Sequence, residues 1–283
     1  MALAALSGDE QRIIFSQLCN LLDPGVAVTF SSASSELRAL TQPQWQQLKA
    51  DYEAAAALGR KLGKGSCKEL REATSVWWYS RGLTAAGLEL LGKLGLVLPA
   101  LEDLRLYESS GAAGRDGVQR LADKLGAGAL PAVTLLRLGD MHVGDAGASA
   151  LAAALGRGAL SRLKHLHLHR AAIGDAGLVA LAPALRRLPA LEHLYLAGNP
   201  LGDEGIAALV APPPRAGAPP PTTGGLATLN WLNLWDTRIT DAGCATLASA
   251  LNSGALPALL ECELEGIPAR AAARAAVAKA LNS

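Results

Sequence analysis

The sequence is poor in aromatic residues, which make up 4% of its 283 positions as five Trp, four Tyr and two Phe. A single thick core draws heavily on such bulky side chains. Their scarcity, beside abundant Leu, Ala and Gly, points instead to many thin, similar layers. Charge of one sign is also lacking: 26 Lys and Arg stand against 25 Asp and Glu, a formal net charge of +1. Phosphate binding needs a concentrated basic surface, so no nucleic-acid partner is expected. No apolar run of about 18 residues occurs, so no transmembrane helix and no membrane partner is expected. The opening MALAALSGDE has neither a basic leader nor a long apolar stretch, which argues against a signal peptide. Cys19, Cys67, Cys244 and Cys262 show no paired spacing, so a reducing setting is expected, cytoplasmic first and nuclear second. A nucleophile elbow, a phosphate-cradling Gly loop and paired catalytic carboxylates are absent, so the expectation is a non-enzyme with no catalytic residue and no cofactor.

What is present is repetition. Leu98 opens LPALEDLRL, Leu130 LPAVTLLRL and Leu160 LSRLKHLHL; Leu188 opens LPALEHLYL, Leu226 LATLNWLNL and Leu256 LPALLECEL. The skeleton is L-x-x-L-x-x-L-x-L, and successive copies start 32, 30, 28, 38 and 30 residues apart. A weaker copy begins at Leu70 and puts Val76 and Trp78 in the L-x-L slots, for about seven repeats in all. A second phrase follows: VGDAG at Val143, IGDAG at Ile173, LGDEG at Leu201, ITDAG at Ile239 and a degenerate LTAAG at Leu83.

L-x-L has period two and predicts a short strand with both Leu inward. Asp145, Asp175, Asp203 and Asp241 precede apolar helical runs and are expected to accept the free amides of the first helical turn. Pro183, within one such run, is expected to kink or shorten its helix. One strand, one loop and one helix cannot bury an apolar face alone, whereas stacked copies can. The fold class expected is therefore α/β: a solenoid with a parallel concave sheet, convex helices and a helical N-terminal cap.

With these two phrases in fixed order, residues 70–281 resemble leucine-rich-repeat proteins of the ribonuclease-inhibitor subtype. The resemblance implies a horseshoe that binds partner proteins. It also implies Asn or Cys three positions after the last strand Leu. Here Ser109, Met141, Ala171, Asn199 and Thr237 occupy those positions, so only Asn199 keeps the pattern and looser loops are expected. The same repeats occur in Ran GTPase-activating proteins, which implies a GTPase regulator as one alternative, with no residue assignable to it.

Residues 1–68 lack the repeat and are read as a separate unit, with 69–283 as the repeat domain. Ser7 to Glu10 forms a capping box ahead of Ile13, Ile14, Leu18 and Leu21. Asp23-Pro24-Gly25 breaks the chain, and Thr41 to Gln44 predicts a second helix start, with Trp45, Leu48, Tyr52, Ala55 and Leu62 on one face. The plain reading is a cap closing the first repeat. The QRIIFSQL stretch from Gln11 to Leu18, Leu22 to Pro24 and SSELR from Ser34 to Arg38 also resemble an F-box. That resemblance implies a substrate receptor of a cullin-type ubiquitin ligase with an adaptor bound at the N-terminus.

Residues flanking each Leu pair point the other way, onto the open face of the sheet. They are Ser75, Trp77 and Tyr79; Asp103, Arg105 and Tyr107; Leu135, Arg137 and Gly139; His165, His167 and His169; His193, Tyr195 and Ala197; Trp231, Asn233 and Trp235; and Glu261, Glu263 and Glu265. Three of five Trp, three of four Tyr and four of five His fall here, with Arg and aromatics at one end and Glu at the other. Exposed Trp, Tyr and Arg dominate protein-binding hot spots, so a partner protein on this face is expected. His165 and His193 lie one strand apart, but no carboxylate or Cys on those strands completes a metal site, and none is expected. The His cluster is expected to gain charge as pH falls toward 6. The proline-rich stretch 211–225 reads as a tolerated surface insertion.

Overall fold

The computed structural model describes residues 7–79, 82–108, 113, 115–210 and 226–282. The chain forms two compact units: Met1–Ala73 with Val97–Ala100, and Thr74–Leu96 with Leu101–Ser283. The proline-rich stretch and Ser109 lie outside the described residues.

In the first unit, α1 (Gly8–Leu18), α2 (Gly25–Ser32) and α3 (Ser35–Lys61) pack around Phe15, Ala27 and Leu48, and α4 (Cys67–Arg71) packs against α3. The capping box is formed: the Glu10 amide donates to Ser7 Oγ at 3.3 Å and the Ser7 amide to Glu10 Oε2 at 2.8 Å. The chain does break before Pro24-Gly25, and α2 starts at once after it, because Pro24 already has helical backbone angles and serves as its N-cap. One local expectation is corrected. No helix starts at Thr41; α3 begins at Ser35, with the Ser34 side chain capping the Leu37 amide, and runs through Pro43. Thr41 is buried within it, its hydroxyl 2.7 Å from the Leu37 carbonyl and 2.8 Å from Ser31 Oγ.

The second unit alternates β1 (Ser75–Tyr79), α5 (Ala85–Leu94), β2 (Asp103–Tyr107), α6 (Gly117–Lys124), β3 (Leu135–Arg137), α7 (Gly144–Gly156), β4 (His165–His167), α8 (Asp175–Leu185), β5 (His193–Tyr195), α9 (Asp203–Leu209), β6 (Trp231–Asn233), α10 (Asp241–Asn252), β7 (Glu261–Glu263) and α11 (Ala271–Leu281). All seven strands form one parallel sheet in sequence order. The inward column is in register: Val76, Leu104, Leu136, Leu166, Leu194, Leu232 and Cys262. Burial raises the Cys262 thiol to about 12, which marks it as packed and unreactive. Pro183 does not divide α8, which ends two residues later at Leu185.

The Asp residues of the second phrase do cap helices, but one repeat further on than expected. Asp145 Oδ1 accepts the amides of Gly174 (2.7 Å) and Gly177 (3.0 Å), at the start of α8. Asp175 does the same for Gly202 and Gly205 of α9, at 2.7 and 2.9 Å. Asp203 takes the Thr240 amide and hydroxyl, and Asp241 the Arg270 amide. Each carboxylate therefore cross-links two repeats. This also accounts for the last Gly of the phrase, since a Cβ on Gly177 would lie 2.5 Å from Asp145 Oδ1. Arg157 adds a link at the other helix end, donating to the Ala122 and Leu125 carbonyls at 3.0 Å each.

Buried Asn199 joins three segments. Its Oδ1 accepts the Ala171 and Ile173 amides at 3.0 Å, and its Nδ2 donates to the Leu168 and Leu196 carbonyls at 2.7 and 2.8 Å. In the equivalent slots Met141 and Ala171 are fully buried apolar filling, at 2% and 0% exposure. These turns are therefore packed where they are not hydrogen-bonded. No described helix is long and apolar enough to cross a membrane.

Candidate functional site

Strand pleating puts the residues between the inward Leu on one helix-free face, in three columns that cross the strands. The first column runs Ser75, Asp103, Leu135, His165, His193, Trp231 and Glu261; the second runs Trp77, Arg105, Arg137, His167, Tyr195, Asn233 and Glu263. Tyr79 and Tyr107 begin the third, which continues two residues beyond the second column in each repeat through Gly139, His169, Ala197, Trp235 and Glu265. All fifteen candidate residues fall at positions of these three columns.

At the β1–β2 end the side chains satisfy one another. Arg105 stacks 5.0 Å from the centroid of the Trp77 ring and binds Asp103 through Nε (2.9 Å) and Nη2 (2.8 Å). Trp77 Nε1 donates to the same carboxylate at 3.3 Å. Tyr79 and Tyr107 rings are tilted 6.1 Å apart. Trp77 nevertheless keeps 56% of its surface exposed.

The centre is an aromatic floor. His165 lies 4.5 Å from His193, which is parallel to Trp231 at 6.1 Å; His167 stacks on Tyr195 at 4.1 Å and 10°. Gly139 makes room for the third imidazole, since a Cβ there would sit 2.1 Å from His169 Cε1. Burial disfavours the imidazolium, helped by neighbouring cations. It lowers His165 and His169, and together with Arg137 brings His167 down to about 4. The charging expected near pH 6 is thus corrected: at that pH His167 is neutral. A metal-binding group of three or more His, Cys, Asp or Glu does not occur among the described residues.

Three features were not legible in the sequence. His169 Nε2 lies 3.0 Å from Asp140 Oδ2, a residue beyond the strand, and 3.2 Å from Arg137 Nη2. A neutral imidazole nitrogen either donates or accepts, so it serves Asp140 or Arg137 but not both. Arg137 Nε and Trp231 Nε1 are buried with no hydrogen-bond partner. Finally, burial and the flanking carboxylates Glu261 and Glu265 raise Glu263, whose partner is the Asn233 amide.

The comparison with protein-family models agrees with the repeats of this architecture. A family model described as "Leucine Rich repeat" matches residues 161–182 and 188–210. Among solved structures the chain is similar to "Leiomodin-1 Actin-Binding Site 2 (ABS2)", with 17% identity and a TM-score of 0.41 over 62% of this chain and 88% of that one. No curated protein matches the chain at a significant level. The two matched segments contain β4 with the larger part of α8 and β5 with α9, two consecutive turns of the seven-stranded stack. The protein is an α/β solenoid that carries leucine-rich repeats at residues 161–182 and 188–210.

Proposed function

We propose that the open face of the sheet binds a partner protein and that the chain acts as a non-enzymatic interaction module of the cytoplasm or nucleus. The observation that carries this is the placement of scarce aromatics: Trp77 and Trp235 are 56% and 46% exposed, Trp77 is stacked with Arg105, and Trp231 is stacked with His193. Large amphipathic rings held rigid by neighbours lose little entropy on contact, which makes them effective anchors. The residues proposed to bind are Trp77, Tyr79, Arg105, Tyr107 and Arg137, the four clustered His, and Tyr195, Trp231, Asn233, Trp235, Glu261 and Glu263. Replacing Trp231 and Trp235 together with Ala tests this. Partner capture from lysate is expected to fall sharply while the thermal unfolding transition stays cooperative; unchanged capture by the folded variant overturns the reading.

A second reading concerns the first unit. Besides its F-box resemblance, its α1 exposes Ile13 (60%) and its α2 exposes Val26 (58%), apolar side chains suited to an adaptor. In this reading the protein is a substrate receptor of a cullin ubiquitin ligase. Co-purification with a cullin adaptor, lost on Ile13→Asp with Val26→Asp, supports it; absence of any adaptor leaves the unit as a cap.

A further inference from the structure

The face is electrically polar, and the charges at its two ends are unsatisfied in different ways. At the β7 end Glu261 and Glu263 alternate along the strand, and Glu265 follows two residues on in the turn beyond it. Among the described residues no Lys, Arg or His forms an ion pair with them. The groups facing them are Trp231, Asn233 and Trp235 from β6 and its following turn, Asp236 just beyond, and Tyr195 from β5. None of these is cationic; Arg274 of α11 lines a cavity with Glu265 but forms no ion pair with it, and burial first, then the carboxylates, raise the Tyr195 hydroxyl and Glu263. A Lys or Arg side chain placed there would relieve this repulsion and meet an exposed indole, the most favourable aromatic surface for a cation.

At the β3 end stands Arg137. Its register neighbour Arg105 is neutralised by Asp103, but Arg137 has no carboxylate of its own, and its Nε is buried without a partner. When His169 keeps its proton on Nε2 and donates that hydrogen bond to Asp140, Arg137 loses its side-chain acceptor too. An incoming carboxylate would complete this guanidinium with charge-assisted hydrogen bonds. Between the two ends lies the His and Tyr floor, uncharged at His167, over which an apolar stretch passes without electrostatic cost.

We propose that the face takes an extended segment of the partner protein with an acidic side chain over Arg137 and a basic one, about six residues away, over Glu261, Glu263 and Glu265. The spacing follows from geometry. Four strand intervals of about 4.8 Å separate β3 from β7, roughly 19 Å, and an extended chain rises about 3.3 Å per residue. This inference rests on the proposed function of the face and adds the chemistry of what it recognises.

The test is a phage-displayed library of random peptides about 16 residues long, selected on the full chain at neutral pH and low salt. Expected are enriched sequences pairing an acidic and a basic residue about five to seven positions apart. A synthetic copy of one should lose about ten-fold in affinity on Arg137→Gln, and a similar factor on the Glu261→Gln, Glu263→Gln, Glu265→Gln triple variant. Enriched peptides without opposite charges overturn the inference, as do peptides with the charges about 13 residues apart as on a helix, or affinities unmoved by these variants. In those cases the peptides still lose binding to the Trp231→Ala, Trp235→Ala variant, so the face itself stands. If no peptide is enriched, or enriched peptides bind that variant unchanged, the face and the inference fail together.

Discussion

Along each strand the inward positions are nearly interchangeable and the outward ones are not. Leu166, Leu194 and Leu232 occupy the same slot in three consecutive repeats, each fully buried between the copies on either side. The outward residues one step before them are His165, His193 and Trp231, and the next strand brings Glu261. The inward column must match because every layer buries the one beside it, and a change of volume in one is felt by two others. The outward column has no such constraint. Its composition is free to follow whatever it touches, which is why its uneven charge and its aromatic content carry information that the Leu skeleton does not.

The comparison breaks most visibly at Leu166. Leu166→Ala leaves a cavity in the middle of the stack, and a loss of about 3 kcal/mol is expected in urea unfolding. A loss below about 1 kcal/mol would mean that the layers slide to fill space, contrary to an interlocked register. The inter-repeat capping comes next. Asp175→Ala removes the acceptor for two amides of the following repeat and should cost about 1–2 kcal/mol. Gly177→Ala is more discriminating. Helix propensity alone predicts a gain of about 1 kcal/mol. The contact of the new Cβ with Asp145 and with Ile173, at 2.5 and 2.8 Å, predicts a net loss instead. A stabilised Gly177→Ala protein would show that the Asp ladder does not hold the repeats this closely.

These ladders also mark how far the fold could be read from sequence. The strands and helices were legible because period-two Leu pairs and apolar helical runs are local patterns. The partner of each Asp was not, because it lies in the next repeat: Asp145 and Gly174 are adjacent only after stacking. The turn after each strand was hidden for another reason. Asp140, Arg170, Gly198, Asp236 and Gly266 all have positive φ, between 49° and 72°. Only two are Gly, so no residue type announces the turn. In the first four it persists because the amide pairs across the sheet, as from Arg170 to the Ala197 carbonyl at 2.8 Å. Thr41 misled in the opposite way. It looked like a helix cap, but its hydroxyl is turned back onto the Leu37 carbonyl inside α3. At the candidate site the outward residues were all legible, whereas Asp140 and the dual claim on His169 depend on folded geometry.

A smaller effect separates the two faces by pH. The folded protein holds His167 down at about 4, below the usual imidazole value near 6.5. Between those values the unfolded chain binds the proton and the folded chain does not, so stability rises with pH. Thermal midpoints should therefore fall as pH is lowered from 7 through 6.5 toward 4, with the His167 contribution levelling below 4. His167→Gln should flatten part of that slope. Midpoints that rise on acidification, or an unchanged slope in the variant, would contradict the buried, neutral imidazole.

The smallest effect on the fold is expected at Trp235, and it is the most informative for function. Nearly half of its surface is exposed, and a Cβ on Gly266 would reach its Nε1 at 3.1 Å, which places the indole over the turn beyond β7. Trp235→Ala removes no buried layer and should change unfolding free energy by no more than about 0.5 kcal/mol. If the face is shaped by what it binds, the same substitution should weaken binding of a selected peptide far more than it shifts the melting curve. If the two losses are equal, Trp235 is a structural lid on the last turn, and the contrast between the inward and outward residues of the strands narrows to charge alone.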